Sequence, residues 1–134
     1  MGIIIDTSVL IESERGRLDI SSFINSREEE PFGISVITVS ELLHGVHRAD
    51  SSKRRLKRSA YVEKVIELFP VYLFDIATAR IYADIWAHLL EKGIQIGAYD
   101  LMIGATAIAL GFSVATFNQR HFDQIEGLKL ELLS

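Results

Sequence analysis

The sequence predicts an α/β fold, a three-layer sandwich built on a central, mostly parallel sheet of four to five strands. Three observations point there. Short unbroken runs of β-branched and apolar residues, such as Ile3–Ile5 and the "SVATF" segment, fit strands buried on both faces. Segments with apolar residues at helical spacing lie between those runs, and strands that alternate with helices build parallel sheets. Hydrophobic residues make up 49% of the 134, enough for one core in a chain too short for two, so residues 1–134 read as a single domain.

Ile3–Ile5 is the first strand, and Asp6, Thr7 and Ser8 end it and cap a short helix from Val9. "PFGISVIT" supplies a second strand around Ile34–Ile37, after which Thr38 or Ser40 caps a helix through "VSELLHGV" that closes near Gly45. In "LKRSAYVEKVIELF", Leu56, Ala60, Val62, Val65, Ile66 and Phe69 keep a helical period that ends at Pro70. "VYLFDI" reads as a third strand and "ATARIYADIWAHLLEKG" as an amphipathic helix stopped by Gly93. Tyr99–Leu110 follows as a small-residue helix that packs closely on the sheet. "SVATF" is the fourth strand and "LKLELL" a candidate fifth. The uncharged stretch Leu101–Phe117 approaches membrane-spanning length, but Gly111 divides it into a helical half and a β-branched half, so no membrane span is expected.

The chain carries 14 Lys and Arg against 18 Asp and Glu, a net −4 that disfavours nucleic-acid binding over the whole surface. The distribution is uneven. From Arg48 to Arg58 the bases Arg48, Lys53, Arg54, Arg55, Lys57 and Arg58 face only Asp50, so this segment is +5 and the remainder −9. It reads either as a solvated helix face or as a phosphate-tracking surface. There is no cysteine, which excludes disulfides and thiolate metal sites and leaves a reducing, cytoplasmic location as the expectation. Asp6 interrupts the apolar start after three isoleucines, so no export signal is read there.

Asp6 follows the first strand, Glu41 lies just inside the helix after the second, Asp100 opens the small-residue helix, and Asn118 follows the fourth strand. Such positions can meet at the carboxyl edge of a parallel sheet, where ligands bind in α/β proteins. Singly, each acid has an ordinary role as a cap or a surface charge. Together they would repel in a low-dielectric crevice unless a cation balanced them, and Mg²⁺ or Mn²⁺ is the hard, oxygen-seeking ion for that place. Asp6 is the hardest to read as a mere cap, because it sits against so apolar a strand. The four histidines, His44, His47, His88 and His121, form no recognisable triad or zinc set.

At these residues the chain resembles the PIN-domain ribonucleases, in particular the VapC toxins of bacterial and archaeal toxin–antitoxin pairs. "IIIDTSVLI" is similar to their opening strand and first acid, and "ISVITVSELLHGV" to the segment that carries their Glu. "AYDLMIGATAIALG" is similar to the segment with their next Asp, and "VATFNQRHFDQIEGLKL" to their closing segment. The four motifs come in order and cover nearly the whole chain. The resemblance implies a PIN-like fold and a Mg²⁺- or Mn²⁺-dependent endoribonuclease toxin with Asp6, Glu41, Asp100 and Asn118 as catalytic residues. It assigns the metal to Asp6 and Asp100, with Glu41 direct or through water, and gives Ser8 and Thr116 supporting places. Asn118 departs from the pattern, since many PIN domains carry an aspartate there, and the neutral amide puts a second metal ion in doubt.

RNA affinity is then expected from Arg48, Lys53, Arg54, Arg55 and Arg58, with Arg120 and His121 close to the substrate phosphate. The resemblance also implies a homodimer or higher assembly and a cognate antitoxin protein that fills the site groove. Tyr61, Val62, Trp86 and Leu90 supply an apolar surplus for such contacts. Two other classes compete. A non-catalytic PIN-like scaffold that binds RNA or protein draws support from Asn118. A phosphotransfer domain is disfavoured, because Ser8 stands where a phosphatase wants its second Asp and no acid pair follows the first strand.

Overall fold

The computed structural model describes residues 1–27, 29–131 and 133. β1 (Ile3–Ile5) is buried along its whole length, and its side chains alternate: Ile3 and Ile5 enter one apolar cluster and Ile4 another. Beside it stand β2 (Phe32–Ser35) and, on the other side, β4 (Ser113–Ala115), with Ile3 opposite both Phe32 and Ser113. β3 (Val71–Tyr72) and β5 (Leu130–Glu131) form the edges of a sheet ordered β3-β2-β1-β4-β5, with every pair parallel. The chain winds outward from β1 to β3 and then returns to β4, so the winding reverses between β1 and β4. An open parallel sheet leaves a crevice beyond its strand ends at such a point.

One face is covered by α1 (Thr7–Glu14), α2 (Ile20–Asn25), α3 (Val36–His47) and α4 (Ser52–Leu68), which bring Val9, Leu10, Leu42, Val62 and Val65 onto Ile3 and Ile5. The other is covered by α5 (Ile76–Glu91), α6 (Ala98–Leu110) and α7 (Gln119–Phe122), through Leu89, Leu101, Ile103, Ala107 and Phe122 around Ile4. The sandwich therefore has the three expected layers, with five strands among the described residues.

Several boundaries differ from the sequence reading, each for a local reason. Ser35, not Thr38 or Ser40, caps α3, its Oγ accepting the Ile37 N–H at 3.0 Å, so β2 ends before Ile37. α3 then runs through Gly45 to His47, since one glycine inside a helix costs only about 1 kcal/mol. α1 likewise begins at Thr7, two residues before Val9, with Asp6 as its cap. The third strand shrinks to Val71–Tyr72 because Asp75 already caps α5, accepting the Thr78 N–H at 2.9 Å. α2 and α7 have no counterpart in the sequence reading; at 6 and 4 residues they are too short to display a period. In the fifth strand Leu130–Glu131 pair with β4, and Leu132 lies outside the described residues.

The uncharged stretch divides as predicted: α6 ends at Leu110, Gly111 takes a left-handed φ of 71°, and β4 starts at Ser113. Among the described residues no helix is long and apolar enough to cross a membrane.

Space, in contrast, decides Gly33. A Cβ there would lie 2.6 Å from the Pro70 carbonyl oxygen and 2.5 Å from the Tyr72 ring. The backbone oxygen yields only if β2 and β3 separate, so Gly33→Ala is expected to destabilise by about 1–3 kcal/mol. Gly45→Ala meets only ordinary contact at 3.9 Å. In the last turn of α3 it is expected to stabilise by up to about 0.5–1 kcal/mol. Urea midpoints of the two variants check both signs.

Candidate active site

β1 delivers Asp6 to the crevice as the N-cap of α1, and the carboxylate is only 1% exposed. Its Oδ2 accepts hydrogen bonds from Ser8 Oγ at 2.8 Å, from Thr116 Oγ1 at 2.8 Å and from the Ser8 N–H at 3.4 Å. Those hydroxyls are themselves held. Ser8 Oγ accepts the Phe117 N–H at 3.1 Å and Thr116 Oγ1 accepts the Asn118 N–H at 2.8 Å. The network therefore ties the end of β1 to the end of β4 across the point where the winding reverses.

Glu41 stands half-buried on α3, its Oε1 accepting from Thr7 Oγ1 at 2.7 Å, and Thr7 Oγ1 lies 3.0 Å from Thr38 Oγ1. Asp100 lies in the first turn of α6, with its Oδ2 2.8 Å from Nδ1 of His121 on α7. Each of the three carboxylates thus has one oxygen engaged by the protein. Among the described residues the other oxygen of each meets no protein donor.

The three acids share one electrostatic field. Burial pushes the Asp6 carboxyl above its ordinary value against the lowering hydrogen bonds from Ser8 and Thr116, and the charge of Asp100 adds to the rise. Burial likewise raises Glu41 against the Thr7 bond, with Asp6 and Asp100 both adding repulsion. Among the described residues no three His, Asp or Glu side chains stand ready to ligate one ion jointly. Mg²⁺, however, usually takes one or two carboxylates and keeps several waters. One buried and two half-buried acids that repel one another, with one unengaged oxygen apiece among the described residues, suit a hydrated divalent cation of that kind.

Asn118 contributes less than its position in the sequence suggests. It precedes α7 but makes no side-chain cap bond, and its side chain is exposed; only its backbone N–H joins the network. Thr7 and His121 contribute more. Thr7 reads from sequence as a capping residue, yet it holds Glu41, and His121 faces Asp100 where a phosphate contact was expected.

An open groove of about 1070 Å³ is lined by Thr7, Glu41 and Tyr99 together with Arg48, Lys57 and Arg58 from the α3–α4 region; of the three acids Glu41 is the one that lines it. The basic residues divide into two groups. Arg55 donates to the Ala49 carbonyl at 3.1 Å, and Arg58 donates to the Gly45 carbonyl at 2.9 Å and pairs with Glu14 at 3.7 Å, so both brace the α3–α4 corner. Arg54 also lines the groove but is paired with Asp50 at 3.1 Å, and Lys53 is exposed outside the lining. Arg48 and Lys57 line the groove and form no ion pair among the described residues. Of the apolar surplus, Val62 is core and Tyr61 donates its hydroxyl to the Leu10 carbonyl at 2.8 Å, whereas Trp86 and Leu90 are 51% and 62% exposed.

A PIN-domain family model matches residues 3–128. Ribonuclease VapC1 of Rickettsia felis is 38% identical over 137 residues, covering 100% of this chain and 98% of that protein. A tRNA(fMet)-specific endonuclease VapC of Salmonella typhimurium is 37% identical over 98 residues, covering 73% and 72% of the two chains. Among solved structures, DNA-bound VapBC from Salmonella typhimurium superposes with a TM-score of 0.86 at 31% identity, covering 98% of this chain and 97% of that one.

The raised Asp6 value has a stability consequence of definite sign. A carboxylate whose folded pKa lies above its unfolded value costs stability when ionised, and the cost is relieved as pH falls through the raised value toward 3.8. In EDTA, Asp6→Asn is therefore expected to raise Tm at neutral pH by roughly 4 °C for each kcal/mol relieved. The gain over wild type should shrink as the pH is lowered. Thermal melts across pH check both statements.

Proposed function

The chain belongs to the PIN-domain family, among the VapC ribonucleases, and we propose that it is a Mg²⁺- or Mn²⁺-dependent endoribonuclease, the toxin of a toxin–antitoxin pair. The observation that carries this reading is the trio Asp6, Glu41 and Asp100, each with one oxygen held by the protein and one that meets no donor among the described residues. Asp6 and Asp100 would hold the ion, with Glu41 reaching it directly or through a water. A bound ion supplies an acidified water for in-line attack and neutralises the charge that grows on the phosphoryl oxygens.

The chain's own residues orient and bind. Ser8 and Thr116 fix the Asp6 carboxylate, Thr7 fixes Glu41, and Asn118 closes the rim beside Thr116. Among the described residues no side chain is poised as a nucleophile, so attack falls to water and needs no RNA 2′-hydroxyl. RNA lies along the groove, where Arg48 and Lys57 meet phosphates, with Lys53 and Arg54 at the rim and Arg55 and Arg58 bracing the wall. The Salmonella relative's name makes a tRNA the first substrate to try. A cognate antitoxin fits the same groove if it brings Arg or Lys to the acids and carboxylates to the basic flank. Trp86 and Leu90 are the exposed apolar residues we assign to a homodimer contact, and the toxin acts in the cytoplasm.

Cleavage of a defined tRNA with Mn²⁺ tests the reading. Asp6→Asn and Asp100→Asn are each expected to lose roughly a hundredfold or more in rate. EDTA should abolish cleavage, and products should carry 5′-phosphate and 3′-hydroxyl ends. RNA binding without cleavage by wild type would assign the chain to the scaffold class. Separately, Arg48→Ala with Lys57→Ala should weaken RNA binding and reduce the slope of log K against log salt by roughly 0.7 for each phosphate no longer neutralised.

A further inference from the structure

Asp100 differs from the other two acids in what holds it. Asp6 and Glu41 are fixed by hydroxyls of Ser8, Thr116 and Thr7, whereas among the described residues the Asp100 carboxylate has one hydrogen-bond partner, the imidazole of His121. Gly97 caps α6 with no side chain, so the helix end offers nothing else to fix the Asp100 rotamer. The contact is 2.8 Å from Nδ1 to Oδ2, a charge-assisted length, and with the carboxylate ionised Nδ1–H is the donor.

Both members stand on rigid ground. Leu101 and Phe122, the next residues after Asp100 and His121, are buried in the same apolar cluster. The His121 N–H donates to the Asn118 carbonyl at 3.0 Å and keeps α7 wound. The ring itself is more than half exposed, so nothing in the core requires an imidazole there.

We propose that His121 is a positioning residue for Asp100: its Nδ1–H occupies Oδ2 and thereby presents Oδ1 to the divalent cation. The inference rests on the metal-dependent reading above. A partner that orients a ligating carboxylate typically contributes 10–100-fold to metal affinity. A carboxylate without such a partner must be ordered by the ion itself.

The test is direct Mn²⁺ binding by electron paramagnetic resonance to the purified full chain, with Tm in EDTA as the folding control. His121→Ala is expected to weaken Mn²⁺ binding by roughly 10–100-fold with Tm close to wild type. His121→Asn, whose amide N–H can take the place of Nδ1–H, should keep affinity near wild type. RNA cleavage by His121→Ala should recover at saturating Mn²⁺, a rise in the metal requirement with kcat largely preserved. Unchanged Mn²⁺ affinity in His121→Ala, or an Asn variant as weak as the Ala variant, would overturn the inference. So would tighter binding in His121→Ala, which would make the ring a competitor for Asp100. Wild type that binds no Mn²⁺ and cleaves no RNA would overturn the proposed function itself. Loss of binding in Asp100→Asn alone would leave that function standing and remove only the role of His121.

Discussion

A carboxylate kept in the buried end of β1 is the constraint on which the catalytic edge depends. Removing an ion from water costs several kcal/mol even after relaxation. Hydrogen bonds to a charged acceptor return about 1.5–3 kcal/mol each. The two short bonds from Ser8 and Thr116 therefore offset much of the burial of Asp6, and the one from Thr116 also ties the end of β4 to the end of β1. What they leave uncompensated is the rest of that burial, together with the smaller repulsion among Asp6, Glu41 and Asp100. A cation removes that remainder, so the site has an electrostatic demand that its own hydroxyls cannot meet.

The basic segment has two tasks within a few residues. The last carbonyls of α3 have no intrahelical donors, and a cation beside them satisfies the bonds and complements the helix dipole. Arg58 does this on the Gly45 carbonyl, and Arg55, on the carbonyl of Ala49 just beyond the helix, joins it in holding the start of α4 against the end of α3. Arg48 and Lys57 are released from that duty and stand over the groove. Charge in the groove consequently runs from negative at Glu41 to positive along α4, a polarity to which an anionic chain and a basic tail would respond in opposite ways.

Most of this architecture was legible in the residues. The isoleucine run announced a strand buried on both faces, and Gly111 announced the end of α6. What stayed hidden was decided by partners distant in sequence. Thr7 looks like any capping residue until the fold brings Glu41 from 34 positions away onto its hydroxyl. His121 and Asp100 are 21 residues apart on different helices, and neither helix alone reveals the pairing. The roles of Arg55 and Arg58 were hidden in the same way, since their targets are backbone carbonyls and carry no sequence signature.

The sheet's outer rows are very short. β3 has two residues and follows Pro70, whose nitrogen carries no hydrogen, and Leu130–Glu131 complete the opposite margin with a charged side chain. Exposed strand rims are templates on which a neighbouring chain can extend a sheet, and brevity, proline and charge each blunt that tendency. The central strands can then stay intensely apolar without inviting fibril-like stacking, and any self-association is left to helical faces such as the one that displays Trp86 and Leu90.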